Sequence, residues 1–380
     1  MRYRTYRDSG LKTSLLGMGC MRLPNIGGDR SKIDEEKAQA IIDLAYRSGI
    51  NYYDTAYVYG DGASERFIGK ALKKYPRESY YLTDKMPPWQ ISSRADVERI
   101  FQEELDRCGV EYFDFYLCHN VNEESIDRFL DPEIGVIPFL EAMQRQGKIR
   151  YLGFSSHGKP ETLRRFASVR PWDFAQIQLN YLDWELQDAR QQYEILTERN
   201  IPVMVMEPVR GGRLASLCPD ADKLLQDCRP DRSVASWALR FVADLPNVQV
   251  ILSGMSTLEQ LQDNLDTFSR DEPLSDKERE VLQSALALLR QQLTVPCTAC
   301  GYCSGCPMEL DIPTYLKIYN EYAFSESPLA LEPILKYPGD RQPKACVGCG
   351  QCAEHCPQHI DVPRYMLKLS SALAAMPPAP

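Results

Sequence analysis

Eight of the chain's thirteen cysteines are compressed into two runs near its end, CTACGYCSGCP from Cys297 to Pro307 and CVGCGQCAEHCP from Cys346 to Pro357. The second run reads C-x2-C-x2-C-x3-C-P, the spacing with which thiolates hold cubane [4Fe-4S] clusters, the fourth cysteine serving the other cluster of a pair. The first run has two residues before its fourth cysteine and also closes on proline. On that exchange rule Cys297, Cys300, Cys303 and Cys356 would hold one cluster, and Cys346, Cys349, Cys352 and Cys306 the second. Such clusters normally pass one electron at a time. Zinc sites built from CxxC pairs are the alternative, but they do not account for evenly spaced triplets followed by Cys-Pro.

A second constellation lies far upstream. Asp54, Lys85 and His119 each stand at the end of a short apolar run, and Tyr59 follows the first of them in an Asp-x4-Tyr spacing. Reduction of a carbonyl by hydride needs a proton for the oxygen, and a free phenol, with a pKa of about 10, gives one up reluctantly at neutral pH. A neighbouring ammonium stabilises the phenolate and lowers that pKa, a carboxylate holds the ammonium in place, and an imidazole orients the carbonyl. Tyr59, Lys85, Asp54 and His119 supply those parts in turn.

The elements that must position these groups show as apolar runs, each followed by a stretch of helical periodicity. The runs are SLLGMG near Leu15, NYYDTA, YYLTDKM, FDFYLCH, IRYLGFS, FAQIQLN, PVMVMEP and VQVILSG, the last beginning at Val248. Eight strand-helix units over about 270 residues match a (β/α)8 barrel of the TIM type, whose reactive residues sit at the C-terminal ends of strands. A doubly wound sheet would want a glycine-rich fingerprint opening a helix, and GMGCMRLP runs into Pro24 instead. The start, MRYRTYRDSGLKTSLL, suits a hairpin closing the barrel's bottom. The expected division is a barrel over 1–275, a bridging helix over 276–293, a small and mostly α-helical cluster domain over 294–370, and a flexible tail over 371–380. Within the cluster domain DIPTYLKIYNEYAF, LALEPILKY and DVPRYMLKLSSAL are predicted helices.

On the stretches DTAYVYG, TDKM and DFYLCHN, residues 1 to about 290 resemble the aldo-keto reductase superfamily. The resemblance implies a barrel that binds NADP(H) or NAD(H) without a Rossmann fold. It implies that Ser155 and Ser156 of GFSSH and Gln176 of QIQLN hold the nicotinamide carboxamide. Glu207, Pro208, Arg210 and Gly212 of MEPVRGG, with Ser253, Gly254, Ser256, Gln260 and Asn264 of SGMSTLEQLQDN, correspond to the segments that bind the pyrophosphate and adenosine ends, while Met206 stands at the position that stacks on the nicotinamide. Family members usually carry an aromatic where Met206 stands, an Asn at Ser156, and in many NADP-binding members an Arg at Gln260. Preference for NADP then rests on Arg210 and Arg213. The cysteine module in turn resembles the helical, ferredoxin-like dicluster domains attached to oxidoreductases.

A formal charge of -9 over 380 residues, with no basic run, excludes a nucleic-acid surface. No window has the apolar length of a membrane span, and the polar start lacks a signal-peptide core, so a cytoplasmic protein is expected. Five scattered cysteines (Cys20, Cys108, Cys118, Cys218, Cys228) suit a reducing compartment. Three functional readings follow. The leading one is NAD(P)H-dependent reduction of a small carbonyl substrate, reversible to the alcohol, with Tyr59 as proton donor and an iron-sulfur module attached. The second is an oxidoreductase linked to a ferredoxin or other electron-transfer protein, its clusters delivering single electrons to the barrel. The third is a non-catalytic cofactor sensor.

Overall fold

The eight apolar runs become the eight strands of a closed, all-parallel barrel: β1 (Leu16–Gly19), β2 (Tyr52–Asp54), β3 (Tyr81–Met86), β4 (Phe113–Val121), β5 (Ile149–Ser156), β6 (Phe174–Gln178), β7 (Val203–Met206) and β8 (Val248–Ser253). Each strand pairs with its sequence neighbour, and β8 closes on β1. Parallel strands packed on both faces read as continuous apolar runs, and all nine residues of β4 are buried. The computed structural model describes residues 1–7, 9–292, 294–325 and 328–376.

Local signals set the helix ends around the barrel. The Asp34 side chain accepts from Lys37 N at the start of Glu35–Arg47. Ser93 and Asp96 form a reciprocal capping box at the start of Arg94–Cys108, which stops at Gly109 in the left-handed region. The amino-terminal hairpin forms between Tyr3–Thr5 and Lys12–Ser14. Its Tyr6 is wholly buried, packs edge-on to Phe115 and Tyr151, and donates its hydroxyl to Asp173 O at 2.6 Å.

Side chains alternate along β3, so Lys85 faces the barrel's mouth while Asp84 faces the surrounding helices. There Asp84 meets Cys108 (Oδ2 to Sγ 3.5 Å) and the buried Glu65, which pairs with Arg107 at 2.9 Å. Burial pushes the Glu65 carboxyl up to about 7 and Asp84 well above its ordinary range.

The chain divides into two compact units, and the second is discontinuous. The first is Met1–Val209 with Arg232–Ser275; the second is Arg210–Asp231 with Asp276–Pro380. The bridging stretch forms the helix Asp276–Gln292, with 293 outside the described residues. This helix packs on Pro219–Cys228, and Glu278 pairs with Arg229 at 3.0 Å. Helices Ile312–Ser325 and Val362–Ala374 lie where expected. LALEPILKY does not form an α-helix: Pro328–Lys336 is 3-10, because Pro333 inside it has no N–H to donate and its ring obstructs the preceding turn. The tail expected from 371 is helical as far as Ala374, and 377–380 lie outside the described residues. No helix among the described residues is long and apolar enough to cross a membrane.

Candidate active site and iron-sulfur module

The register that staggers the strands brings Asp54 level with Thr83 and Met86 level with Cys118, so the ends of β2, β3 and β4 converge. Lys85 is fully buried there. Its Nζ donates to Asp54 Oδ1 at 2.7 Å and to Thr55 O at 2.5 Å, and lies 3.4 Å from the Tyr59 hydroxyl. The His119 ring meets Tyr59 edge-on with centroids 6.1 Å apart. All four predicted groups are therefore brought together, each less than a tenth exposed.

Burial raises the Asp54 carboxyl, with the Lys85 ammonium pulling the other way. His119 is held well below the usual imidazole range by burial and then by Lys85 and His157, so it is neutral at neutral pH. Tyr59 departs from the lowered phenol expected from sequence. Burial, followed by the charges of Asp54 and Glu207, pushes it well above the ordinary value. The reason is burial first, which disfavours the phenolate, and then the negative charges around the hydroxyl. Tyr59 thus keeps its proton at neutral pH.

Beside this group the end of β5 is fixed by hydroxyl bonds: Ser155 Oγ accepts from Asn120 N at 2.8 Å, and Ser156 Oγ donates to Val121 O at 3.1 Å. Gln176 is 2 % exposed and its Oε1 has no hydrogen-bond partner among the described residues, while its Nε2 faces Met206 Sδ at 3.7 Å. An orphaned buried carbonyl is costly, and it fits the amide N–H of a nicotinamide carboxamide. At the end of β8, Asn264 donates to Ser253 Oγ at 2.8 Å, Ser256 Oγ donates to Arg22 O at 2.6 Å, and the Gln260 side chain accepts from Ser256 N. Glu207 has positive φ and pairs with Arg22 at 3.4 Å, next to buried Pro208. A Cβ on Gly254 would touch the Arg22 side chain at 3.4 Å.

Arg210 and Gly212 fall outside the first unit. They belong to the second unit, where the wholly buried Arg210 donates to Pro296 O at 2.9 Å and Arg213 donates to Cys297 O at 3.1 Å.

In the second unit the cysteines pack against an apolar core that includes Tyr315, Leu316, Ile334 and Met366. Asn320 anchors the approach to the first run, accepting from Val295 N at 2.6 Å and donating to Val295 O at 2.8 Å. Cys297, Cys300, Cys303 and Cys356, joined by Cys352, line one pocket. Burial, then the charges of Cys300, Cys297 and Cys356, raises the Cys303 thiol; burial, then Cys346, Cys306 and Cys349, pushes Cys352 up to about 11. Cys303 thus neighbours Cys297, Cys300 and Cys356, and Cys352 neighbours Cys306, Cys346 and Cys349. Four converging thiols in apolar surroundings repel as thiolates unless cationic iron takes the place of their protons, so the donor set fits a cluster. A single zinc ion is a poorer match. Tetrahedral Zn–S bonds of about 2.3 Å hold the sulfurs about 3.8 Å apart, and among the described residues the only His, Cys, Asp or Glu group of three or more converging within 4.8 Å is Glu65, Asp84 and Cys108.

Comparison with known proteins decides the family. Residues 15–287 match the model of the aldo/keto reductase family. The chain belongs to the aldo/keto reductase family. Residues 296–360 of this reductase match the 4Fe-4S dicluster domain. It is 26% identical over 316 residues to L-galactose dehydrogenase of Arabidopsis thaliana, covering 77% of this chain and 96% of that protein. It is likewise 26% identical to the uncharacterized oxidoreductase YqkF of Bacillus subtilis, over 75% of this chain and 96% of the relative. Among solved structures the holo form of the aldo-keto reductase AKR11C1 from Bacillus halodurans superposes with a TM-score of 0.63 at 28% identity, covering 75% of this chain and 96% of that one.

Three residues of the reductase's mouth escaped the sequence reading. Trp89, on the turn Pro88–Gln90 after β3, lies 5.4 Å from the His119 ring. The only local sign was an aromatic just past TDKM. Asn120 takes positive φ where the β4–β5 register shifts, and its Oδ1 is buried without a hydrogen-bond partner among the described residues. Arg22, in the loop after β1, meets Glu207 only through the fold.

Proposed function

We propose that the barrel catalyses the reversible, NAD(P)H-dependent reduction of a small aldehyde or ketone, with Tyr59 as proton donor. The observation that carries this reading is the buried Lys85 ammonium, 2.7 Å from Asp54 Oδ1 and 3.4 Å from the Tyr59 hydroxyl. When bound, the nicotinamide cofactor supplies hydride to the carbonyl carbon. Gln176 Oε1, with Ser155, Ser156 and Asn120, holds the carboxamide; Met206, Glu207, Pro208, Ser253, Gly254, Ser256, Gln260 and Asn264 bind the remainder. The Tyr59 O–H bond breaks toward the carbonyl oxygen, Lys85 stabilises the phenolate left behind, and Asp54 fixes Lys85. Neutral His119 donates an N–H to the same oxygen, and Trp89 shields it from water. The likeness to L-galactose dehydrogenase supports an alcohol/carbonyl couple. Cys297, Cys300, Cys303 and Cys356 hold one [4Fe-4S] cluster and Cys306, Cys346, Cys349 and Cys352 the other, each passing one electron when bound. None of the cysteines forms a disulfide, which suits a reducing cytoplasm.

The test is Tyr59→Phe in protein purified without air. Carbonyl reduction should fall by about 10²–10⁴-fold, the usual contribution of a positioned acid, while nicotinamide binding followed by fluorescence stays within threefold. Undiminished turnover in the variant sinks the mechanism.

Exchange of electrons with a ferredoxin or similar carrier is the second reading, favoured by the exposure of Cys349. Bleaching of the clusters' visible absorbance on adding NADPH or NADH anaerobically would support it. Clusters that dithionite reduces but the nicotinamides do not would count against it.

A further inference from the structure

The segment Arg210–Arg213 carries two guanidinium groups beside the first cysteine run. Gly211 and Gly212 take φ of +64° and +93°, and Arg213 N closes a turn on Arg210 O at 3.1 Å. Arg210 is fully buried with Nη2 on Pro296 O, and the half-buried Arg213 sends Nη1 to Cys297 O. Arg213 feels the charge of the Cys297 thiol and of Arg210, and it forms no ion pair with a carboxylate among the described residues. On the side of the second cysteine set Arg341 pairs with Glu309, whose N–H donates to Cys306 O, and Lys344 is exposed. A cluster becomes more negative on reduction, so an uncompensated cation close to it favours the reduced form, whereas burial opposes it.

We propose that Arg213 holds up the reduction potential of the cluster bound by Cys297, Cys300, Cys303 and Cys356, offsetting the burial that would otherwise make it the harder of the two to reduce. The inference rests on the reading that the eight cysteines hold two [4Fe-4S] clusters. It also takes Arg213 away from nucleotide phosphate, for which the sequence had offered it. The step is a one-electron reduction by an external donor such as dithionite, with no bond made or broken.

The experiment is an anaerobic redox titration of the full-length holoprotein, following both clusters by electron paramagnetic resonance, for the native chain, Arg213→Gln and Arg213→Lys. In the glutamine variant one cluster should become about tenfold harder to reduce, a fall of about 59 mV for one electron, while the other stays put. The lysine variant, which keeps the charge, should lie within threefold of native. If the glutamine variant does not assemble, Arg213→Met keeps the packing of the stem and carries the same prediction. Two intact clusters whose potentials do not move, or that move together, or a lysine variant that behaves like glutamine, overturn the inference and leave the cluster reading standing. Native protein holding zinc in place of iron and sulfide overturns both.

Discussion

Replacing Lys85 by methionine keeps most of the buried stem and removes the ammonium. Asp54 Oδ1 then loses its 2.7 Å partner, and Oδ2 already has none among the described residues. Breaking a buried pair by deleting one member costs about 3–5 kcal/mol. Without the ammonium nothing opposes the burial that already raises the Asp54 carboxyl, so the carboxyl rises further. The sign follows from linkage. Between the carboxyl's unfolded and folded pKa values the folded variant holds a proton that the unfolded chain releases, so its stability falls as pH rises through that window.

The penalty should therefore be larger at pH 8 than at pH 5, because protonation relieves the unpaired carboxylate as the pH falls. Urea unfolding followed by tryptophan fluorescence suits the measurement, because Trp89, Trp172, Trp184 and Trp237 all lie in the barrel unit. The double variant Asp54→Asn/Lys85→Met should recover at least half of the lost stability while remaining inactive. A single variant that loses less than about 1 kcal/mol at pH 8, or a double variant no better than the single, would show that the pair is not a buried charge pair.

Glu65→Gln removes a carboxyl that burial holds up to about 7, so native stability should decline from about pH 4.5 to 7 and the variant's should change by at least about 1 kcal/mol less over that range; parallel pH profiles would contradict this. Gly69→Ala would set a Cβ 2.3 Å from Cys108 O, backbone that cannot swing aside, so thermal unfolding should show a net loss despite alanine's better helix propensity of about 1 kcal/mol. An unchanged or raised melting temperature would mean that the two helices can separate freely.

The barrel was legible because its information is local. Apolar runs mark strands buried on both faces, and the reactive residues sit at the ends of those runs. The iron-sulfur domain was legible because such a domain marks itself by the spacing of its cysteines. What escaped depends on contacts between distant parts of the chain. Nothing near Arg213 announces Cys297, and nothing near Arg22 announces Glu207. The phenol of Tyr59 was misjudged because residue types reveal an ammonium nearby but not how fully burial and Asp54 offset it. Asn120 was missed because its positive φ arises from a register shift between β4 and β5, which only the paired strands display. Pro333 was visible, and its effect on LALEPILKY follows from the missing donor, but apolar periodicity masked it.

The discontinuity of the second unit bears on how such a protein can be rearranged. Its two pieces, Arg210–Asp231 and Asp276–Pro380, are separated along the chain by the stretch that contains β8. A ribosome must make the barrel's last strand before the final cysteine emerges, so a cluster that needs that cysteine can be completed only after β8 has been made. Recombination that cuts after Ser275 would carry away the cysteines and leave the arginines behind. The iron-sulfur part is therefore not a cassette, and a chimera that keeps it whole must inherit the loop after β7 as well.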